Sequence, residues 1–520
     1  MYIARWKEEH HMKKILTLGL IFLFLLGNPS ILLAEETPKP EPASPVETGP
    51  SPEPIVPAET NPPSGPASPA EASPPPKVTT PIESTRTDPV ANGKMDTKST
   101  YLANGDIYWM KRIHFNKKLK ASYKMSFVIP GKSGTFKYVE DIKGVKKWRT
   151  VPLTGTLPKY VGFISTDQYH MIVSHPTTYI TGKQNTITQS SSSTPITVTA
   201  NKNGGYTLVI EFAQTPGTWN EIWGLESTEP LIDWEKPPME AVWLYYDLDI
   251  ERKWSWDGFY VKTPASYSPT GKNMFWRIPA NAVALSFVRT GGSRAAEDLG
   301  WIMLRVSIAH QNKDGYWETG PRSQWLWKDY GVKEGFFDTR FNTDMGLAML
   351  YGYRMYEEEE FIRSAERYAN WLIKHAQKEH WTVQKEGQEG WLVADYGQQA
   401  PHKRVHASLN HQLAELNYLY EMFMETQQEA YRVYADKLLY GIKNTASLWI
   451  KPDGDLHYAY ENGKGIKPDY PYLTYNDLWE TQRILKTLNG EVDPDLTKLM
   501  ESKKKFMDKH KIKGYNPRPL

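Results

Sequence analysis

The sequence predicts a multidomain α+β chain in which an antiparallel β-sandwich-like domain is followed by an incomplete (α/α) toroid of helical hairpins. Two observations carry that reading. From about Tyr101 to Thr290, short stretches rich in β-branched and aromatic residues alternate with turn signals, and from about Arg294 apolar residues recur every three or four positions. The length of 520 residues allows two to four domains, and an aromatic fraction of 13% is enough to fill large cores or to line a groove.

In chain order, Lys13-Lys14 precede an apolar run from Ile15 to Leu26. Gly27-Asn28-Pro29 break the run, and Leu32-Leu33-Ala34 stand before Glu35-Glu36. Residues 1–34 therefore read as a signal peptide cleaved after Ala34, with a retained anchor over Ile15 to Leu33 as the competing reading. Translation is expected to start at Met12, because Lys7-Glu8-Glu9 can be encoded by a purine-rich ribosome-binding sequence. Residues 35–98 are rich in Pro, Glu, Ser, Thr and Ala and hold few large apolar side chains, so they cannot offset chain entropy by burial. They read as a Pro-rich disordered linker, either a spacer across a cell wall or a generic secreted one. The chain is thus expected to be secreted or extracellular, with cell-wall or membrane association through these segments.

Residues 99–292 form the expected β domain. Tyr169 to Ser174, Thr177 to Thr181, Ile196 to Ala200 and Tyr206 to Phe212 have strand composition, and Asn203-Gly204-Gly205 makes a turn. Ala241 to Asp249, Trp254 to Lys262 and Phe275 to Val288 are read as further strands. Trp at 219, 223, 234, 243, 254, 256 and 276 either fill the core, the favoured reading, or stack on sugar rings.

Residues 293–512 form the expected toroid, followed by a tail at 513–520. Phe361, Ala365, Tyr368 and Leu372 lie on one helical face, as do Leu409, Leu413, Leu416, Tyr420 and Phe423, and Tyr431, Ala435, Leu438 and Ile442. Further helices are expected at Glu297 to Gln311, Thr343 to Tyr356, Asn476 to Leu488 and Asp493 to His510. Asp453-Gly454 and Asn489-Gly490 mark connecting loops. About seven helices leave a ring open, so its cleft is expected to be completed by the β domain or by a second subunit in a homodimer.

Composition excludes several classes of function. With no cysteine there are no disulfides, zinc-thiolate sites, iron-sulfur clusters or thiol nucleophiles. A net charge of +2 without a basic block argues against nucleic acid as a partner. Chemistry is sought where polar residues crowd the loops between helices. Trp391 to Arg404 carries Asp395, Tyr396, Lys403 and Arg404 ahead of a helix, and Asp453 to Tyr475 carries Tyr458, Tyr460, Glu461, Lys467, Asp469, Tyr470, Tyr472 and Tyr475. A phenol with an ordinary pKa near 10 acts as acid or base only when neighbours tune it, so phenols gathered beside Lys or Arg suggest proton transfer; an interfacial structural role is the blander reading. His406 is placed on the apolar stripe of the Leu409 helix, toward the interior, and His411 is placed pointing away. His402, His406 and Asn410 share an i, i+4, i+8 face, but without HExxH or a carboxylate partner no metal is assigned. Glu357 to Glu360 and Lys503 to Lys505 read as solvated charge runs.

Three segments resemble the helical domain of the D-glucuronyl C5-epimerase family. Asp469-Tyr470, then Asn476 and Leu478, are similar to its DYHTTHINQL-like segment. Leu409-Asn410-His411 through Leu416, Leu419 and Tyr420 resemble a second helix, and Phe361, Ser364, Ala365 and Arg367 a third. The resemblance spans about Ala348 to Lys505. It implies an enzyme that inverts C5 of uronic acid residues in a polysaccharide, removing the proton α to the carboxylate and returning one from the other face, with no cofactor. It assigns proton transfer to Asp395 and Tyr396, to Tyr458 or Tyr460, and to Tyr470. Lys403 or Arg404 would hold the carboxylate, and His406, Asn410 and Asn476 complete the substrate-binding candidates. The sequence departs from the family at Asp395, where the family has Glu, at Gly397-Gln398-Gln399, and at His411, where the family has Gly. The alternatives are a polysaccharide lyase, a glycoside hydrolase using Asp395 with Glu461, and a non-catalytic cell-wall glycan-binding protein.

Overall fold

A computed structural model describes residues 80–520 except 143 and 519; the expected signal peptide and most of the expected linker lie outside the described residues. The described chain holds a large antiparallel sheet region and eleven helices. These are α1 (Met239–Tyr246), α2 (Ala282–Thr290), α3 (Arg294–Ile308), α4 (Gln324–Tyr330), α5 (Thr339–Tyr356), α6 (Glu359–Lys378), α7 (Leu409–Thr426), α8 (Glu429–Asn444), α9 (Ala446–Trp449), α10 (Leu473–Asn489) and α11 (Pro494–Lys509).

A thirteen-stranded sheet is organised about Trp219–Ser227. That strand pairs with Ile107–Phe115 along one edge, and with Thr177–Thr181 and then His170–Val173 along the other. A four-stranded sheet built on Tyr123–Ile129, Tyr206–Phe212 and Ile196–Ala200 packs against it. Alternation along Tyr206–Phe212 turns Leu208, Ile210 and Phe212 inward, where they meet Ile113, Phe136 and Ile222 of the large sheet. The opposite face of the large sheet carries Tyr108, Met110, Trp223 and Leu225 into a second core shared with the helices. Of the seven Trp singled out above, five are buried, while Trp234 and Trp256 are half-buried.

Several expectations are corrected here. Residues 82–98, read as linker, belong to a hairpin of Ile82–Val90 and Gly93–Tyr101 that extends the large sheet. Ala241 to Asp249 is not a strand: it falls mainly in α1, which buries Val242, Trp243 and Tyr246 and ends at Asp247 in the left-handed region. Phe275 to Val288 divides into the strand Met274–Arg277 and α2, where Asn281 accepts the Ala284 N–H as N-cap.

The helices pair as α2/α3, α5/α6, α7/α8 and α10/α11, and α2, α5, α7 and α10 lie side by side in one row. Helix α7 is buried along every residue from Leu409 to Phe423, so it runs through the interior of this layer. Among the described residues, no helix is long and apolar enough to cross a membrane.

Candidate functional site

Four segments distant in sequence meet at the N-terminal end of α7. Helix α4 ends at Gly331 in the left-handed region, which leaves Tyr330 as its last helical residue. Residues 395–408 are held on both sides, since the Asp395 N–H donates to the His406 carbonyl at 3.0 Å and the Thr339 N–H donates to the Asp395 carbonyl at 2.9 Å. Ala407–Ser408 pair with the hairpin His457–Glu461 and Lys464–Pro468, whose Asn462-Gly463 turn has φ of 50° and 83°, the two positive values a tight hairpin of this hand requires.

These segments place aromatic rings in a row. Tyr396 lies 6.0 Å from His406, His406 lies 5.5 Å from Tyr458, and Tyr458 lies 5.5 Å from Tyr470, measured between ring centroids. Trp325 stacks on His406 at 5.6 Å, and the Lys467 ammonium sits 4.6 Å from the Trp325 ring. Tyr458, Tyr470, Trp325 and Glu461 are half-buried, whereas Tyr330, Tyr396 and His406 form a buried floor.

A chain of polar contacts runs beneath the rings. The Tyr330 hydroxyl donates to Glu461 Oε1 at 3.0 Å and meets His406 Nδ1 at 3.0 Å. His406 Nε2 faces Asp395 Oδ2 at 3.4 Å. Asp395 Oδ1 accepts the Ser408 N–H at 2.7 Å and lies 3.9 Å from His411 Nδ1, which bonds the Thr339 hydroxyl at 2.8 Å. Burial opposes ionisation of Asp395, but His411, His406 and Ser408 hold its carboxyl below the usual range. Burial and the Glu461 charge push the Tyr330 phenol well above the usual range, so it holds its proton at neutral pH. With that proton directed at Glu461, His406 Nδ1–H donates to the phenol oxygen. Directing the Tyr330 proton at His406 Nδ1 instead requires that nitrogen to be bare, so the two arrangements are alternatives.

Tyr396, Tyr458, Tyr470 and His406 are thus brought together, and the other candidates are not. Tyr460 turns to Trp381, with ring centroids 5.9 Å apart. Asp395 is fully buried, and its ring partners are His406 and His411. Lys403 Nζ bonds the Asp329 carbonyl, and Arg404 pairs with Glu379 at 3.8 Å over the Trp381 ring. Asn410 is buried in the first turn of α7, its side-chain oxygen without a hydrogen bond. Asn476 anchors the tail, accepting the Asn516 N–H at 2.7 Å and donating to the Gly514 carbonyl at 3.4 Å. His406 precedes α7, so it shares no helical face with His402 and Asn410. His411 points inward, toward Asp395 and Tyr396. Lys503 is buried rather than solvated. Tyr330, Trp325 and the partnership with His406 were not anticipated; the Trp325 to Tyr330 stretch, aromatic-rich and closed by Gly331, was the available signal.

The buried histidines make the fold acid-sensitive. His375 donates to the Ala394 carbonyl at 2.8 Å, and burial pushes its pKa down to about 4; burial does the same to His411, against the attraction of Asp395. In the unfolded chain both titrate near ~6.5, so the unfolded state binds more protons between that pH and about 4. Stability is therefore retained above the unfolded value and lost as pH falls through the window, by up to ~3 kcal/mol per histidine. Asp477, pushed up to about 6 by burial against the pull of Arg340, offsets part of this. Urea unfolding at neutral pH and near the folded pKa is expected to show the loss, and His375→Gln to remove up to ~3 kcal/mol of it.

No family model matches the chain, and no curated protein sequence matches it. Among solved structures, a family 76 glycoside hydrolase from a bovine Bacteroides thetaiotaomicron strain is similar at a TM-score of 0.37 and 10% identity, over 77% of this chain and 75% of that one. Cellobiose 2-epimerase from Spirochaeta thermophila is similar at 0.34 and 12%, over 45% and 60% of the two chains. D-mannose isomerase is similar at 0.31 and 16%, over 44% of this chain, which spans 59% of the isomerase. All three are named as sugar-acting enzymes of other specificities than a glucuronyl C5-epimerase.

Proposed function

We propose that this protein is an exported carbohydrate-active enzyme, a β-sandwich joined to a partial α/α ring, that inverts C5 of uronic acid residues in a polysaccharide. The observation carrying the reading is the Tyr330 phenol, bonded at 3.0 Å to both Glu461 and His406 beneath a row of half-buried aromatic rings. Inversion needs an acid on one face of the sugar and a base on the other. Tyr330, kept protonated, supplies the acid and is recharged from solvent by way of half-buried Glu461, while Asp395 holds its other partner His406 in place. Tyr458 and Tyr470, which continue the row beyond His406, supply the base. The carboxylate of the substrate pairs with Lys467 at the rim, in place of Lys403 or Arg404, and that ammonium stabilises the enolate-like charge formed when C5 loses its proton. The resemblance of the Asp469 to Leu478 segment to the glucuronyl C5-epimerases supports the same reading.

A hydrolase needs two carboxylates flanking the glycosidic oxygen, and full burial of Asp395 withdraws one of the two considered. A lyase begins with the same proton abstraction and remains the second reading. Incubating an unbranched uronate polymer with the protein in deuterated water tests these directly. Deuterium at C5 without chain cleavage supports the proposal; an absorbing unsaturated end identifies a lyase, new reducing ends a hydrolase, and no change a glycan-binding protein. Tyr470→Phe is expected to lower the rate of label incorporation by ~10²- to 10⁴-fold. Tyr396→Phe, whose ring is buried behind His406, is expected to cost only ~10-fold, through misplacement of His406.

A further inference from the structure

A cavity lies where the large sheet meets α2 and α3, and none of its lining residues belongs to the row of rings around Tyr330. It holds about 140 Å³, short of the ~300–1,000 Å³ of drug-sized sites, which limits an occupant to a single small unit. Its walls are built from both regions of the fold. Phe259 and Trp317 supply apolar faces, Arg277 and His310 form one polar side, Asn281 closes the base, and Glu318 stands exposed at the rim. Gly258, at φ 141°, lines it too: a Cβ there would come within 3.0 Å of the Arg277 side chain, so the glycine lets that stem lie along the wall.

One polar atom in this cavity has no task in the fold. Asn281 is 3% exposed; its Oδ1 caps α2 by accepting the Ala284 N–H at 2.9 Å, but its Nδ2 has no hydrogen-bond partner. A buried amide donor left unpaired is costly, and such groups mark places where a ligand or water supplies the acceptor. The charges around it are balanced. Arg277 is tied to Asp257 at 3.3 Å, and Glu318 adds a negative charge at the mouth. His310, which burial and Arg277 hold below the usual imidazole range, is neutral at pH 7. The cavity therefore offers fixed donors and one acceptor, without the surplus positive charge an anion would require.

We propose that this cavity is a second carbohydrate-binding site, which takes a neutral saccharide unit through a vicinal diol. Two adjacent hydroxyls can accept from Asn281 Nδ2 and Arg277 and donate to Glu318, while the C–H face of the ring lies against Trp317 and Phe259. Such a site would hold a neutral stretch of polymer apart from the place of reaction.

The test is a titration with methyl β-D-glucopyranoside and methyl α-D-mannopyranoside, followed by saturation-transfer NMR, with sodium glucuronate as the charged comparison. A single sugar unit is expected to bind in the ~1 mM range. Asn281→Ser keeps an N-cap oxygen but removes the amide donor, and is expected to weaken binding ~3- to 10-fold. Glu318→Arg changes an exposed position, so it leaves folding intact while removing the acceptor and crowding the mouth; a loss of ~10-fold or more is expected. Tyr330→Phe, which removes the proposed acid, is expected to bind the glycosides unchanged, so failure of the phenolic chemistry and failure of this site are told apart. The proposal is overturned if neither glycoside binds by ~50 mM, if binding survives both cavity variants, or if glucuronate binds more tightly than both neutral glycosides.

Discussion

Tyr330→Phe is expected to lower the rate of deuterium incorporation into a uronate polymer by ~10²- to 10⁴-fold, the range for loss of a general acid, while the folded protein persists. The hydroxyl contributes no packing that Phe lacks, and Glu461, half-buried, regains water when its donor goes. The His406 ring stays stacked on Trp325 and beside Asp395, so geometry survives and proton supply does not. The same logic makes Asp395 a positioning residue. Asp395→Asn leaves the shape but takes away the charge 3.4 Å from His406 Nε2, and is expected to slow turnover and move its pH profile. Because both changes act on His406 and its bond to Tyr330, their combination should cost little more than the worse of the two. Full additivity, or a Tyr330→Phe enzyme with wild-type turnover, would remove Tyr330 from the mechanism.

Lys503→Met is expected to destabilise the protein by ~3–5 kcal/mol, the cost of leaving buried charges without their partner. The Lys503 ammonium is fully buried, 2.6 Å from Asp455, 2.9 Å from Asp469 and 2.7 Å from the Tyr470 carbonyl. Burial raises the pKa of Asp469 and Lys503 counters it, so removing the cation pushes that carboxyl further toward the neutral form. Chemical denaturation measures the loss. Adding Asp455→Asn and Asp469→Asn to Lys503→Met should recover a large part of it, since the triple variant buries no unpaired charge. The contact to the Tyr470 backbone gives the single variant a second consequence, because loosening that segment should raise KM as well as lower stability.

Lys503 also shows what could have been read earlier. Within Lys503 to Lys505 it looks like any member of a solvated run, yet it continues the stripe Leu496, Leu499, Met500 and Met507 that α11 buries. The spacing held the answer and the local charge density hid it. Helices α5, α6, α8, α10 and α11 were legible because each hides one face at a period of three to four residues. Helix α7 itself is buried all round, so periodicity could not say which way His411 points. Helix α1 was taken for a strand because Val242, Trp243, Leu244, Tyr245 and Tyr246 have strand-like composition in a run too short for the helical period to declare itself. The hairpin at Ile82–Tyr101 escaped notice because its first strand is largely exposed and polar, much like the linker before it. Tyr330 was illegible for another reason: its partners are 76 and 131 residues away, and no local pattern reports such pairing.

That hairpin also determines how the protein bears a mechanical load. Its first strand pairs only with Gly93–Tyr101, in rungs from Ile82↔Tyr101 to Val90↔Gly93. Tension entering the chain at residue 82 meets this ribbon first and can peel it rung by rung. The ribbon is also tied to α3 by Glu83 and Arg305 at 3.1 Å, and it yields ahead of the strands that carry the two cores.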